Sequence, residues 1–219
     1  INEQANLYAR DFVARKIREK VKDPAIAELL TPNTMIGCKR LCVDSGYYET
    51  FNRDNVTLVS VKDTPIERFT EKGLVVGGQE YAFDAVIFAT GFDAMTGPLL
   101  RMDITGREGR PLKDAWAAGP VNYLGLMVRG FANMFTITGP GSPSVLSNMV
   151  PAIEQHGDFV AGMVRWLDAH ELATIEPTSE AQEKWVGHVN DVASHTLLLG
   201  CNSWYLGANV PGKPRVFLP

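Results

Sequence analysis

Apolar residues recur at three- and four-residue steps over residues 3–21 (Ala5, Tyr8, Phe12, Val13, Ile17), interleaved with Arg and Lys. That spacing predicts an amphipathic helix. Asp23-Pro24 offers an N-cap and a proline at the first helical position, which predicts a short helix over AIAELL. Thr31-Pro32 stops it. Gly37 and Gly46 break the next stretch, residues 52–55 read as a polar turn, and residues 56–59 are β-rich. Loose alternation over residues 65–83, around Glu71-Lys72-Gly73 and Gly77-Gly78, predicts hairpins. Ala85-Val86-Ile87-Phe88-Ala89 is a continuous apolar run ending in Thr90-Gly91, the pattern of a strand buried on both faces of a parallel sheet. Two more strands are expected at 123–128 and 134–138. The second runs into Gly139-Pro140-Gly141-Ser142-Pro143-Ser144. A helix with Pro151 in its first turn and an apolar stripe at Ile153, Val160, Met163, Val164 and Leu167 follows, then another over 180–193. The last stretch, from Asn202, is irregular and dense in Gly and Pro. Buried strands mixed with helices make the expected class α/β.

Composition narrows the partners. The 219 residues are 45% hydrophobic and 21% charged, ordinary for a soluble globular protein. Lys and Arg total 21 against 25 for Asp and Glu, a net charge of −4. That balance gives no electrostatic reason to expect nucleic acid or an anionic membrane as partner. No apolar run approaches the roughly 20 residues of a spanning helix, and no signal peptide is visible. The three cysteines are an odd number, and Cys38-x₃-Cys42 without a nearby His is poor zinc spacing. Free thiols in a reducing cytosol are therefore expected, and a cytoplasmic location with them. The four His residues form no metal-pair pattern, so no metal site is expected. The chain opens on Ile1 directly into a helical pattern and closes on Pro219 after an apolar run, so it reads as a piece of a longer protein.

The candidate chemistry lies at strand ends. In open α/β sheets ligands bind beyond the carboxyl ends of the strands. The run ending in Thr90-Gly91 and the Gly/Pro/Ser loop ahead of a helix both fit that logic. The helix start offers unpaired N–H groups to a phosphate or to the electron-rich edge of a reduced flavin. Glycines packed for ordinary turns would look the same. Lys39-Arg40 suits an oxyanion or phosphate, or is a pair of solvated cations. Trp204 stacks on a ligand or packs. His156 reads as a satisfied helix histidine rather than a base. No nucleophile–base–orienter triad is visible. The residues alone reach a nucleotide- or flavin-binding α/β segment.

Several stretches, taken in order, go further. They are Cys38-Lys39-Arg40-Leu41, the run from Tyr47 to Val56, the run from Phe88 to Gly97, Trp116-Ala117-Ala118-Gly119-Pro120, and Thr138-Gly139-Pro140-Gly141-Ser142-Pro143-Ser144. Ser147-Asn148-Met149 with Ile153-Glu154-Gln155-His156, Ser203-Trp204-Tyr205, and the run from Gly207 to Lys213 complete the set. This ordered set resembles the type I Baeyer–Villiger monooxygenases, nearest to the phenylacetone and cyclohexanone monooxygenase group.

The resemblance implies parts of two dinucleotide-binding, Rossmann-like domains of a flavoprotein monooxygenase. FAD stays bound, NADPH reduces it, and O₂ gives a peroxyflavin. One oxygen atom is then inserted next to a ketone carbonyl, giving an ester or lactone. By the same resemblance Arg40 is the active-site cation facing developing negative charge. Lys39 lies near the NADPH 2′-phosphate and Trp204 contacts the nicotinamide cofactor. Thr90 and Gly91 are cofactor-binding, Met149 matches a flavin-edge position at the helix start, and Ser144, Val145 and Leu146 match a substrate-pocket loop. Residues 1–34 would be helices attached to the NADP domain, 35–83 the end of that domain, and 84–219 the end of the FAD domain. The family's two Gly-x-Gly-x-x-Gly loops, its Phe-x-Gly-x-x-x-His stretch and the acidic partner of the arginine are absent here. The missing N-terminal part of the same enzyme is thus an expected partner, and the piece alone is expected to be inactive. Ala132 stands where the family often has Pro, and Gly157 interrupts a helix. A heteroatom monooxygenase acting on sulfides or amines, and a non-catalytic α/β interaction module, are the alternatives.

Overall fold

The computed structural model describes residues 2–142 and 147–217. Its elements run α1 (Glu3–Lys20), α2 (Pro24–Leu30), α3 (Tyr47–Thr50), β1 (Ile66–Phe69), β2 (Gly73–Val76), β3 (Gln79–Ala82), α4 (Gly97–Leu100), α5 (Leu112–Ala115), α6 (Met149–Ala169) and α7 (Ser179–Ser194), with short 3-10 turns between and after them. The class is α/β. The chain divides into two units.

One unit holds residues 4–34 and 42–91. Asp23 caps α2 as its sequence requires: its carboxylate accepts the N–H groups of Ala25 and Ile26. Ile17, Val21 and Ala27 form the core here, with Val13, Ile26, Leu30 and Tyr48 packed around it. The expected α1 stripe is only partly used, since Tyr8 is 71% and Phe12 50% exposed. Strands β1, β2 and β3 make an antiparallel meander in that order. Gly77 and Gly78, both at positive φ, turn β2 into β3, the geometry a tight hairpin demands.

Residues 56–59, expected to be β-rich, form no strand. The run 85–89 is also not a strand, and Ile87 is 91% exposed. A parallel strand needs neighbours distant in sequence. The only sheet among the described residues is the antiparallel meander, whose partners lie a few residues apart.

The second unit holds residues 35–41 and everything from Phe92, with the first residues of the chain. Leu112, Trp116, Val128 and Phe131 form one core, with Leu99, Leu100 and Ile104 packed against it. The runs 123–128 and 134–138 touch through isolated bridges, Tyr123 to Met127 and Met127 to Phe135, and are not strands. Positive φ at Leu124 and Gly125 folds the first run back on itself. Helices α6 and α7 are capped by Asn148 and Thr178. Two of the five residues of the expected α6 stripe face outward, with Ile153 45% and Val164 47% exposed, while Leu167 is buried.

The expectation of three free thiols is corrected. Cys38 and Cys201 are joined in a disulfide across 163 residues of chain, while Cys42 is exposed and keeps its thiol. Composition gives no view of two cysteines that folding alone makes neighbours. Among the described residues no group of His, Cys, Asp and Glu is placed to hold a metal ion, and no helix is long and apolar enough to cross a membrane.

Candidate functional site

Gly37, at φ +93, allows a tight turn in which the Cys38 N–H donates to the Met35 carbonyl at 3.3 Å. Cys38 points into a core with Ala193, Cys201, Leu206 and Phe217. Lys39 and Arg40, which follow at once, stay exposed. On the far side of the disulfide, the Ser203 hydroxyl accepts the Tyr205 N–H at 3.3 Å and caps a 3-10 turn over Trp204–Leu206. Trp204 is half-buried, its ring 4.3 Å from that of Tyr205. Lys39, Arg40 and Trp204, singled out from opposite ends of the sequence, therefore flank one cross-link.

The same tail grips the start of the unit. Asn209 donates to the Phe92 carbonyl at 3.1 Å. The Lys213 ammonium donates to the Asp93 carboxylate at 2.7 Å and to the Ala94 carbonyl at 2.8 Å. Thr96 is 2% exposed, and its hydroxyl has no hydrogen-bond partner. Such an orphan calls for a group to pair it. Sequence reasoning missed Thr96; the signal was a threonine ahead of Gly97-Pro98 in a segment already singled out. In the other unit, Thr90 and Gly91 close its last segment and are exposed, with Gly91 at φ +82.

The Gly-Pro-Gly loop is held from several sides. Asn122, buried, donates to the Pro140 carbonyl and accepts the Gly125 N–H at 2.7 Å. Thr136 donates to the Gly125 carbonyl at 2.7 Å, and the Trp185 indole N–H donates to the Gly141 carbonyl at 3.2 Å. A Cβ on Gly139 would stand 2.5 Å from the Gly125 carbonyl oxygen, and one on Gly125 2.4 Å from Ser142 Cβ. Close packing inside the protein thus accounts for these two glycines. Beyond them, Ser142, Ser147, Asn148, Pro151, Gln155 and His156 line a cavity of about 390 Å³. At the head of α6, Asn148 takes the Val150 N–H at 3.1 Å, and Pro151 has none to give. The Met149 N–H is the remaining donor of the first turn. Ser144, Val145 and Leu146 lie outside the described residues. A larger groove of about 560 Å³, beside Tyr123, Lys184, Trp185 and His188, is lined by none of the candidate site residues among the described ones.

No protein-family model matches the chain. Its sequence is 43% identical over 215 residues to a Baeyer–Villiger monooxygenase of Pseudooceanicola batsensis, covering 98% of this chain and 39% of that protein. It is 37% identical over 214 residues to the phenazine N-monooxygenase of Lysobacter antibioticus, covering 97% of the chain and 39% of the relative. Among solved structures, an oxidised steroid monooxygenase bound to NADP superposes with TM-score 0.90 at 54% identity, over 100% of this chain and 41% of that one. An OTEMO complex with FAD and NADP superposes with TM-score 0.87 at 42% identity, over 93% of this chain and 38% of that one. The chain spans about two fifths of the length of these proteins. In sequence and in fold, it is a relative of the Baeyer–Villiger monooxygenases that corresponds to one part of them.

Proposed function

We propose that this chain is part of an FAD- and NADPH-dependent monooxygenase that inserts one oxygen atom of O₂ next to a ketone carbonyl, giving an ester or lactone. The observation that carries this reading is the match of the whole chain, at 54% identity, to a monooxygenase solved with NADP.

The residues present fit both cofactors. The Met149 N–H is a donor suited to a flavin oxygen, and Thr90-Gly91 supplies backbone without bulk. Lys39 offers a compact charge for the NADPH 2′-phosphate, and Trp204 a half-buried aromatic face for the nicotinamide. When bound, the nicotinamide supplies two electrons and the flavin activates O₂. Arg40 stays charged throughout and stabilises negative charge on the ketone oxygen as it is attacked. Ser144, Val145 and Leu146 shape the substrate pocket.

Residues 1–34 belong to helices attached to the NADP domain, 35–83 end that Rossmann-like domain, and 84–219 end the FAD domain. The exposed run 85–89 then becomes a central strand once the remaining three fifths of the enzyme supply its neighbours. A second reading, oxidation of a ring nitrogen, draws on the N-monooxygenase relative. Parallel turnover of a cyclic ketone and an N-heteroarene by the complete enzyme separates the two. In that enzyme Arg40→Ala abolishes ester formation while NADPH still reduces the flavin. Ester formation at the wild-type rate would remove Arg40 from its role.

A further inference from the structure

We propose that the Cys38–Cys201 disulfide is a redox-sensitive cross-link that positions the cofactor-facing residues on its two sides, Lys39 and Arg40 after one cysteine and Trp204 after the other. The proposal rests on the roles assigned above to those three residues.

The bond joins two segments that no secondary structure connects. The Met35–Cys38 turn carries the cations, and the 3-10 turn at Trp204 carries the aromatic. Each is ordered locally. Gly37 and the Cys38 N–H shape the first. Ser203 shapes the second, and Arg215 donates to the Cys201 carbonyl at 3.1 Å and to Asn202 at 3.0 Å. Their mutual placement is a tertiary matter, and a covalent bond with Cα atoms 5.4 Å apart sets it. Lys39 is one residue and Arg40 two from one end of the bond, and Trp204 is three from the other. Breaking the bond therefore loosens the spacing between the charge that meets a phosphate and the ring that meets a nicotinamide. A site held within tenths of an ångström by covalent support binds without paying for that ordering again.

Both cysteines are 3% exposed. A reductant must attack a sulfur along the bond, so it reaches this one only when a flanking turn opens. A dinucleotide bound through Lys39 and Trp204 would hold the turns closed, so binding and reduction would oppose each other. The reaction is ordinary exchange. A dithiol gives up two electrons and two protons and becomes a cyclic disulfide, the S–S bond breaks, and Cys38 and Cys201 become thiols. By reciprocity, what reduction does to NADPH affinity, NADP⁺ does to reducibility.

The experiment uses the complete flavoenzyme. Unreduced protein is denatured in excess alkylating reagent and digested. The expected map joins the Cys38 and Cys201 peptides and finds Cys42 alkylated; alkylated Cys38 and Cys201 would overturn the proposal. The folded enzyme is then treated with dithiothreitol. The KM for NADPH is expected to rise about fivefold, the lower end of typical coupling between sites, with flavin reduction at saturating NADPH within twofold. The Cys38→Ala/Cys201→Ala enzyme is expected to show the raised KM with no response to dithiothreitol. Saturating NADP⁺ is expected to slow reduction of the wild-type bond. An unchanged KM in enzyme whose bond has been reduced would overturn positioning, since loss of a purely structural bond lowers the melting temperature alone. The peptide map reads the bond without reference to turnover, so loss of the functional reading and loss of the cross-link are separately visible.

Discussion

The backbone N–H of Thr138 donates to Nδ1 of His156 across 2.9 Å, with Thr138 in the left-handed region at φ +49. A β-branched residue there is strained and persists only where its surroundings fix it. The buried imidazole supplies that fixing, and so ties the Gly-Pro-Gly loop to α6. Thr138→Asn keeps the N–H and tolerates the left-handed conformation. It is expected to stabilise the protein by about 1 kcal/mol. His156→Ala leaves the N–H without its acceptor and is expected to cost about 1–3 kcal/mol. Urea unfolding midpoints measure both; an Asn variant no more stable than wild type removes the strain argument.

Glu176 sets an acid limit on the same unit. Its carboxylate accepts the Gly130 N–H at 2.6 Å and pairs with Arg107 at 2.6 Å and Arg129 at 2.8 Å, with its side chain 14% exposed. Burial alone pushes the carboxyl up. The Gly130 N–H and the two guanidinium groups outweigh it and hold the carboxyl below its ordinary value. The folded pKa thus lies below the unfolded one. The stabilisation is complete above the ordinary glutamate range and lost as pH falls through the depressed folded value. Glu176→Gln is expected to cost about 1.5–3 kcal/mol at neutral pH, the worth of hydrogen bonds to a charge. Its stability should also fall less than wild type between neutral pH and the acid range. Parallel acid-side slopes for the two proteins would rule the clamp out.

What the sequence disclosed and what it hid follow from range. Helices α1, α2, α6 and α7 were legible because periodicity and caps such as Asp23 are properties of neighbours a few residues apart. The hairpins at 66–82 were legible for the same reason, with Gly77-Gly78 as the turn. The run 85–89 carries the pattern of a buried parallel strand, yet among the described residues it pairs with no strand and Ile87 is 91% exposed. The runs 123–128 and 134–138 look like strands because nothing in a leucine or a threonine announces the positive φ of Leu124 and Thr138. Lys39, Arg40 and Trp204 were visible one by one; that a disulfide joins the segments carrying them was not. Thr96 was hidden because an unpaired hydroxyl is a fact of burial alone.

Asn52 closes the end of α1 from 32 residues away. Its amide donates to the Lys20 carbonyl at 2.7 Å, and its oxygen accepts the Lys22 N–H, also at 2.7 Å. Those are backbone groups that the helix end leaves without intrahelical partners. The Lys20 ammonium reaches back to Asp44 and Glu49, so the same loop also meets the positive end of the side chain. Asn52→Ala removes both backbone bonds and is expected to cost about 1–2 kcal/mol. Asn52→Asp keeps the acceptor, loses the donor and should fall between. Thermal unfolding of the three proteins checks the order; an Asp variant weaker than Ala overturns it.

Lys39 makes the sharpest test of the cofactor assignment, because two natural cofactors differ by one group. NADPH carries the 2′-phosphate that NADH lacks, so a cation meeting that phosphate contributes to one affinity and not the other. Lys39 is exposed, at the end of a turn fixed by Gly37 and the Cys38 bond, with room for a phosphate to approach. In the complete enzyme Lys39→Ala is expected to raise the KM for NADPH about tenfold, the loss of one charge-assisted contact, and to leave that for NADH within twofold. The NADPH value for wild type should climb with added salt more steeply than the variant's, since screening acts on a charge still present. Equal rises for both cofactors would move Lys39 out of the phosphate site and into general support of the turn.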